Sequence, residues 1–423
     1  MKKLMTVLLC AALGLPLFAA QDNTLAFYQR QAVMKAPKQK QDRAFATALA
    51  RDVQVWIRLH PQNADIKNAL LLQSNLYQRA QQYARGLIAL YQIRFYFPTD
   101  EDITVLSSGV ENIMEELNRS EKAQALKLLA VNTSQAQTFA EKHAILLESL
   151  VKAGLPDVYE PVCDLFEDFF VQYPQDINLD KIILLYADWH RQNNNFYAAI
   201  SEYKKVDELF PDTAYKAASL RMTADVYAMD LRDYETADAL YNQVLRKYPN
   251  SAEQGIVYKH LGIMEENRKN YSLALGYYDK AITDLGAQPS AREAWIGKAD
   301  VLMKTKAYQA AYDTLVRGAE RFTGTESVYV PFLLRAADIA EGKLSNVAQK
   351  TAALEKIMLF YPQNPQAPEI LYELGSAYED QATTAQAIVV YKQLVINYPT
   401  DKYASRAQNR LKKLEKEVEK TAK

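Results

Sequence analysis

Residues 371–399 read LYELGSAYEDQATTAQAIVVYKQLVINYP, which holds two helical faces and a stop signal. Leu371, Leu374, Gly375 and Tyr378 fall at i, i+3, i+4 and i+7 and share one face of a first helix. Ala387 and Tyr391 sit on the matching face of a second. Gly375 and Ala387 are small where the two helices must cross closely, and Tyr378 and Tyr391 fill the volume beside them. Pro399 then stops the second helix, because it lacks an N–H and pushes Tyr398 out of helical geometry.

The stop signal recurs along the chain. His60-Pro61, Phe97-Pro98, Tyr173-Pro174, Phe210-Pro211, Tyr248-Pro249, Tyr361-Pro362 and Tyr398-Pro399 are 37, 76, 37, 38, 113 and 37 residues apart, one to three multiples of one period. A period of this length marks a repeat protein, in which each unit buries its apolar face against its neighbours. Other units keep the pattern: Leu70, Ser74 and Tyr77 lead to Gly86 and Leu90; Ile183, Tyr186, Ala187 and His190 lead to Ala199 and Tyr203; Tyr258, Leu261 and Gly262 lead to Ala274 and Tyr278; Trp295 and Ala299 lead to Ala311 and Leu315. The unit from Leu220 through Ala224 and Tyr227 to Ala237 and Tyr241 has one residue more, assigned to its inter-helix turn. Residues 99–136 and 331–361 keep the length and helical periodicity but lose most signature positions. After Pro61, Pro211, Pro249, Pro362 and Pro399, a short polar turn with Asn, Asp, Ser or Thr leads to an alanine, which predicts hydrogen bonds to the free N–H groups of the next helix. With 13 Gly in 423 residues and no alternating valine-rich run, no strand is predicted.

The ends suggest export. Met1-Lys2-Lys3, an apolar run from Leu4 to Phe18 and Ala19-Ala20 have the order of a secretory signal peptide cleaved near Ala19 or Ala20. The run is short for a membrane span, and Gly14 and Pro16 interrupt it. Cys10 follows Leu9 where lipidation wants a small residue, so it reads as part of the leader. Cys163 is then the one thiol of the mature chain, a buried apolar group near Phe166 and Phe169 that can form no internal disulfide. The expected organisation is a signal peptide at 1–20, a partly disordered segment at 21–44, a repeat array at 45–405 and a charged capping helix at 406–423. In that last helix Ala407, Leu411, Leu414 and Val418 share one face.

Charge is balanced, with 50 Lys and Arg against 51 Asp and Glu, which removes the electrostatic footprint of a nucleic-acid binder. His60, His143, His190 and His260 are scattered over different units with no metal-ligand spacing, so neither a metal nor a cofactor is expected. His190 occupies an aromatic core position. Glu326-Ser327 resembles the opening of the catalytic motif of soluble lytic transglycosylases, but the rest of that motif is missing. No catalytic residues are assigned, and the expected protein is not an enzyme.

The signature positions resemble those of tetratricopeptide-repeat (TPR) proteins over nearly all of residues 45–415 and most strongly at 371–399. The resemblance implies an all-α, right-handed α-solenoid of about nine to ten TPR-like helix-turn-helix repeats of about 37–38 residues. The aromatic-Pro junction looks most like exported cell-envelope members, such as the outer-membrane assembly lipoprotein and the Tol-Pal TPR protein. The chain lacks the lipidation cysteine of the first and the coiled-coil opening of the second. These relatives imply a periplasmic scaffold for protein partners, with peripheral association with outer-membrane components as an extension. A subunit of a polysaccharide export apparatus and a helical arm related to murein-cleaving enzymes stay open as alternatives. In stacked helix pairs the first helices line the concave face, and projecting the repeat spacing places Arg221, Asp225, Lys259, Ile263, Ile296, Asp300, Arg335 and Tyr372 there as partner-binding candidates.

Overall fold

The computed structural model describes residues 25–34, 41–61, 63–98, 103–117 and 121–421. The predicted signal peptide lies outside them, as does part of the 21–44 segment. Among the described residues there are α-helices, one π-helical turn and no strand. The chain divides into two compact units, Met1–Ser219 and Leu220–Lys423.

The first unit begins with α1 (Leu25–Met34) and α2 (Gln41–Leu59). Four helix pairs follow: α3 (Ile66–Arg79) and α4 (Tyr83–Tyr96), α5 (Ile103–Glu116) and α6 (Lys122–Leu129), α7 (Phe139–Ala153) and α8 (Tyr159–Gln172), α9 (Leu179–Gln192) and α10 (Phe196–Leu209). The division between the units falls within α11 (Lys216–Asp225), whose continuation Val226–Asp230 is π-helical before α12 (Tyr234–Lys247). The second unit continues as α13 (Gln254–Asn267) and α14 (Tyr271–Leu285), α15 (Ala291–Lys304) and α16 (Tyr308–Arg321), α17 (Glu326–Gly342) and α18 (Val347–Phe360), α19 (Ala367–Asp380) and α20 (Thr384–Asn397), closed by α21 (Lys402–Thr421). This is an α-solenoid of helix pairs.

The small-residue positions are where the helices cross. A Cβ on Gly262 would lie 2.8 Å from the Tyr278 ring, and one on Gly375 would collide with the Tyr391 ring. Ala274 and Ala387, their partners on the second helices, are fully buried. Four second helices end at an aromatic-Pro junction in the same way: the N–H of Tyr173, Tyr248, Tyr361 and Tyr398 donates to the carbonyl four residues back before proline breaks the ladder.

Two local expectations are corrected. The extra residue of the unit at 220–249 sits in the π turn, where the Leu231 N–H donates to the Val226 carbonyl five residues back. A π turn absorbs one residue while keeping the helix continuous, so the crossing of Ala224 with Ala237 is preserved. The polar residues after the prolines mostly close local turns before the next helix starts. Asn63, Asp176, Thr213, Asn364 and Asp401 each accept from the backbone N–H two residues on. Side-chain N-caps are found instead at Thr138, Asp233 and Asn346.

The expectation that each unit packs only on its neighbours fails in the first unit. Every residue of α4 from Gly86 to Tyr96 is buried, and the helix packs against α3, α5, α7 and α8. The weak stretch at 99–136 is the cause: α6 is one short helix of 8 residues, too small to cover α4. Polar contacts complete the coverage. Arg94 Nε donates to the Leu129 carbonyl at 2.7 Å, Thr133 Oγ1 to that of Phe95 at 2.7 Å and Lys142 Nζ to that of Tyr96 at 3.0 Å. At the other end Ala407, Leu411 and Leu414 of α21 are buried as expected, whereas Val418 is exposed.

Candidate partner-binding face

All eight candidates lie in the second unit on first helices: α11, α13, α15, α17 and α19. Of these helices α13 packs against α15, α19 packs against the capping helix α21, and Arg335 joins α17 to Asp300 of α15. The structure corrects what the charged members do there. Arg221 pairs with Asp225 one turn on and with Glu253 of the next repeat. Lys259 pairs with Glu293 at 2.6 Å, and Arg335 pairs with Asp300 of the preceding repeat. These are rungs between repeats. Asp225 and Lys259 are buried, so neither presents a free charge to a groove. Sequence reasoning projected these charges outward and missed the opposite charge 32 to 35 residues away in a neighbouring repeat.

Asp225 is the most connected of them. Its Oδ1 accepts from the Tyr241 hydroxyl at 2.7 Å and lies 2.6 Å from His260 Nδ1, while Oδ2 meets Arg221. Burial alone would raise its carboxyl, but His260, Arg221 and Tyr241 more than offset that, and it is held below the usual carboxylate range. Tyr241 illustrates a device that the repeats share. Its counterparts Tyr203, Tyr278 and Tyr391 are also buried, and each donates its hydroxyl to an acid on the first helix of its own repeat: Asp188, Glu266 and Glu379. In the repeat with Leu315 in place of tyrosine, Asp300 has no such hydroxyl to accept from its own repeat and pairs with Arg335 instead.

The remaining candidates are apolar or aromatic. Ile263 and Ile296 are half-buried against the second unit's core, and Tyr372 lies between the rings of Tyr391 and Tyr403, at 5.8 Å and 5.6 Å. Around them the last repeats gather carboxylates. Lys350 meets Glu341 at 2.9 Å and Glu373 at 3.6 Å, and burial together with the neighbouring acids raises both Glu373 and the exposed Asp338. The open part of this face is therefore a mixture of half-buried aliphatic groups, one tilted aromatic cluster and an acidic rim.

The other singled-out residues take structural positions. His190 lies tilted against Tyr186, with ring centroids 4.2 Å apart, and has Nδ1 2.8 Å from the Tyr159 hydroxyl. Cys163 is buried, and burial pushes its thiol up to about 11. Glu326 is exposed at the start of α17 and accepts from Asn364 Nδ2 at 2.7 Å. Among the described residues no group of three or more His, Cys, Asp or Glu is placed to hold a metal. None of the described helices is long and apolar enough to cross a membrane.

A family model described as tetratricopeptide repeat matches residues 218–251 and 369–401. No curated protein matches the chain. Among solved structures, the type IV pilus biogenesis factor PilW is 16% identical and covers 56% of this chain and 100% of its own, with a TM-score of 0.39. The C-terminal part of a TPR repeat-containing protein from Cytophaga hutchinsonii is 16% identical and covers 62% of this chain and 98% of its own, with a TM-score of 0.41. A tetratricopeptide repeat protein from Parabacteroides merdae is 15% identical and covers 65% and 98%, with a TM-score of 0.34. At these scores none bears on function. The family match shows tetratricopeptide repeats at these two stretches, and the other helix pairs repeat the same helix-turn-helix arrangement.

Proposed function

We propose that this chain is an exported, non-enzymatic scaffold that docks protein partners on the first helices of its second unit. The observation that carries the reading is that both family matches fall almost wholly in that unit, where α13 packs against α15 and ion pairs link α11 and α17 to neighbouring repeats. Repeats of this class present one helix of each pair to partners. A partner that suits these helices has apolar anchors for Ile263, Ile296 and Tyr372 and basic groups for the acids around Asp338 and Glu373. Export to the periplasm, with envelope proteins as partners, rests on the basic, apolar and small-residue order of residues 1–20.

Reversing Arg221, Lys259 and Arg335 would break inter-repeat ion pairs and so confuse binding with folding. A photocrosslinking residue placed at Ile296 or Asp338 leaves the rungs at Arg221 and Lys259 intact. Substitution at Leu273 and Val389, exposed on second helices, serves as the comparison. The reading expects protein adducts in intact cells from the first-helix positions. Adducts only from Leu273 and Val389, or none from any position, would sink it.

A further inference from the structure

The first unit contains a cleft of about 400 Å³ among α2, α3, α4 and α8, lined by both charged and apolar side chains. Arg51, Gln54 and Arg58 lie at i, i+3 and i+7 on the cleft face of α2. Across from them Asp164 and Asp168 stand one turn apart on α8. Arg58 pairs with Asp168, which also accepts from Gln54 Nε2 at 2.6 Å, and Arg85 of α4 pairs with Asp164. Gln73 donates in turn to Gln54, so an amide chain runs along the floor. Both carboxylates are thus consumed, and the preceding turn of α8 presents Pro161 to the cleft. Arg51, the last cation of the row, has no ion pair or hydrogen bond among the described residues.

Three guanidinium groups face two carboxylates, which leaves one positive charge in excess. Burial raises the hydroxyl of Tyr77 beside the cleft and Asp164 adds to that, while Arg85 and Arg51 act in the opposite direction. A guanidinium fork matches the paired oxygens of a carboxylate or phosphate, and amide and phenol groups can bond the rest of a small polar molecule. The volume falls within the range of small-molecule sites, and the charged and amide groups stand among apolar walls formed by Val55, Ile88, Pro161 and Leu165. We propose that this cleft binds a small organic oxyanion, with Arg51 as the charge contact and Tyr77 as a hydrogen-bond donor. This site is independent of the partner face in the other unit.

The test is calorimetric titration of the full chain with citrate and, separately, with inorganic phosphate, at low salt. Arg51 is exposed and unpaired, so Arg51→Gln keeps the fold, which a matching thermal melt verifies. Arg43→Gln, exposed on the same helix but outside the cleft, controls for general charge. Saturable binding of either anion, weakened about tenfold or more by Arg51→Gln and unchanged by Arg43→Gln, is the expected result. The tighter of the two anions identifies the site as a carboxylate or a phosphate site. Absence of saturable binding by both, or equal loss in the two variants, overturns the proposal.

Discussion

Two titratable groups in the first unit oppose each other across the acid range. His143 is sealed among the Tyr96, Phe169 and Tyr173 rings, and burial pushes its imidazolium down to about 4. A histidine depressed in the folded state contributes stability that is present above its unfolded value and is lost as pH falls from about 6.5 toward 4, in total about 3 kcal/mol. Asp168 behaves with the opposite sign. Burial pushes its carboxyl up to about 6 despite Arg58 and Gln54, so the folded state takes up a proton first and gains stability as pH falls from 6 toward 3.8. The native chain therefore shows little net slope from this pair. Urea unfolding at several pH values should show stability of Asp168→Asn falling with acidification, and that of His143→Phe rising, each relative to wild type. Identical slopes in all three proteins would show that neither group is titrating in that environment.

Elements here are joined by close crossings. Gly262 lies where α13 meets α14, and its missing Cβ leaves room for the fully buried Tyr278 ring. Gly276, on α14 itself, has nothing within 4 Å of an added Cβ. The same change should thus have opposite effects: Gly262→Ala costs about 1–3 kcal/mol by overpacking, and Gly276→Ala gains about 0.5–1 kcal/mol by helix propensity. Chemical denaturation of both variants checks the pair, and equal effects would mean that the crossing is looser than described. Crossings such as this were legible in the repeat pattern, because a small residue must recur wherever two helices approach closely. The π turn was less legible. An extra residue shows in the spacing of Ala224 and Ala237, but spacing does not say whether a helix or a turn absorbs it.

At the scale of the whole molecule the two units differ in how their cores are built. In the second, each helix pair covers its neighbour, and the Arg221, Lys259 and Arg335 rungs repeat the same connection. In the first, α4 is enclosed by helices from several repeats, and Gln54 reaches Asp168 across 114 residues. Amide hydrogen exchange should therefore be slowest, within the first unit, in Gly86–Tyr96, because those amides open only when several helices separate. Exchange in α4 as fast as in α9 and α10 would contradict this enclosure.

What the sequence determined alone was the repeat, its helix pairs, their stop signals and the small and aromatic positions of each crossing. These are local or period-bound properties, written within one unit and repeated in the next. Tertiary structure alone decided that Arg221, Lys259 and Arg335 spend their charge on neighbouring repeats, that α4 is buried from Gly86 to Tyr96, and that Arg51 stands unpaired over a cleft. Each depends on which side chain faces which across distant segments, and a periodic pattern carries no record of that.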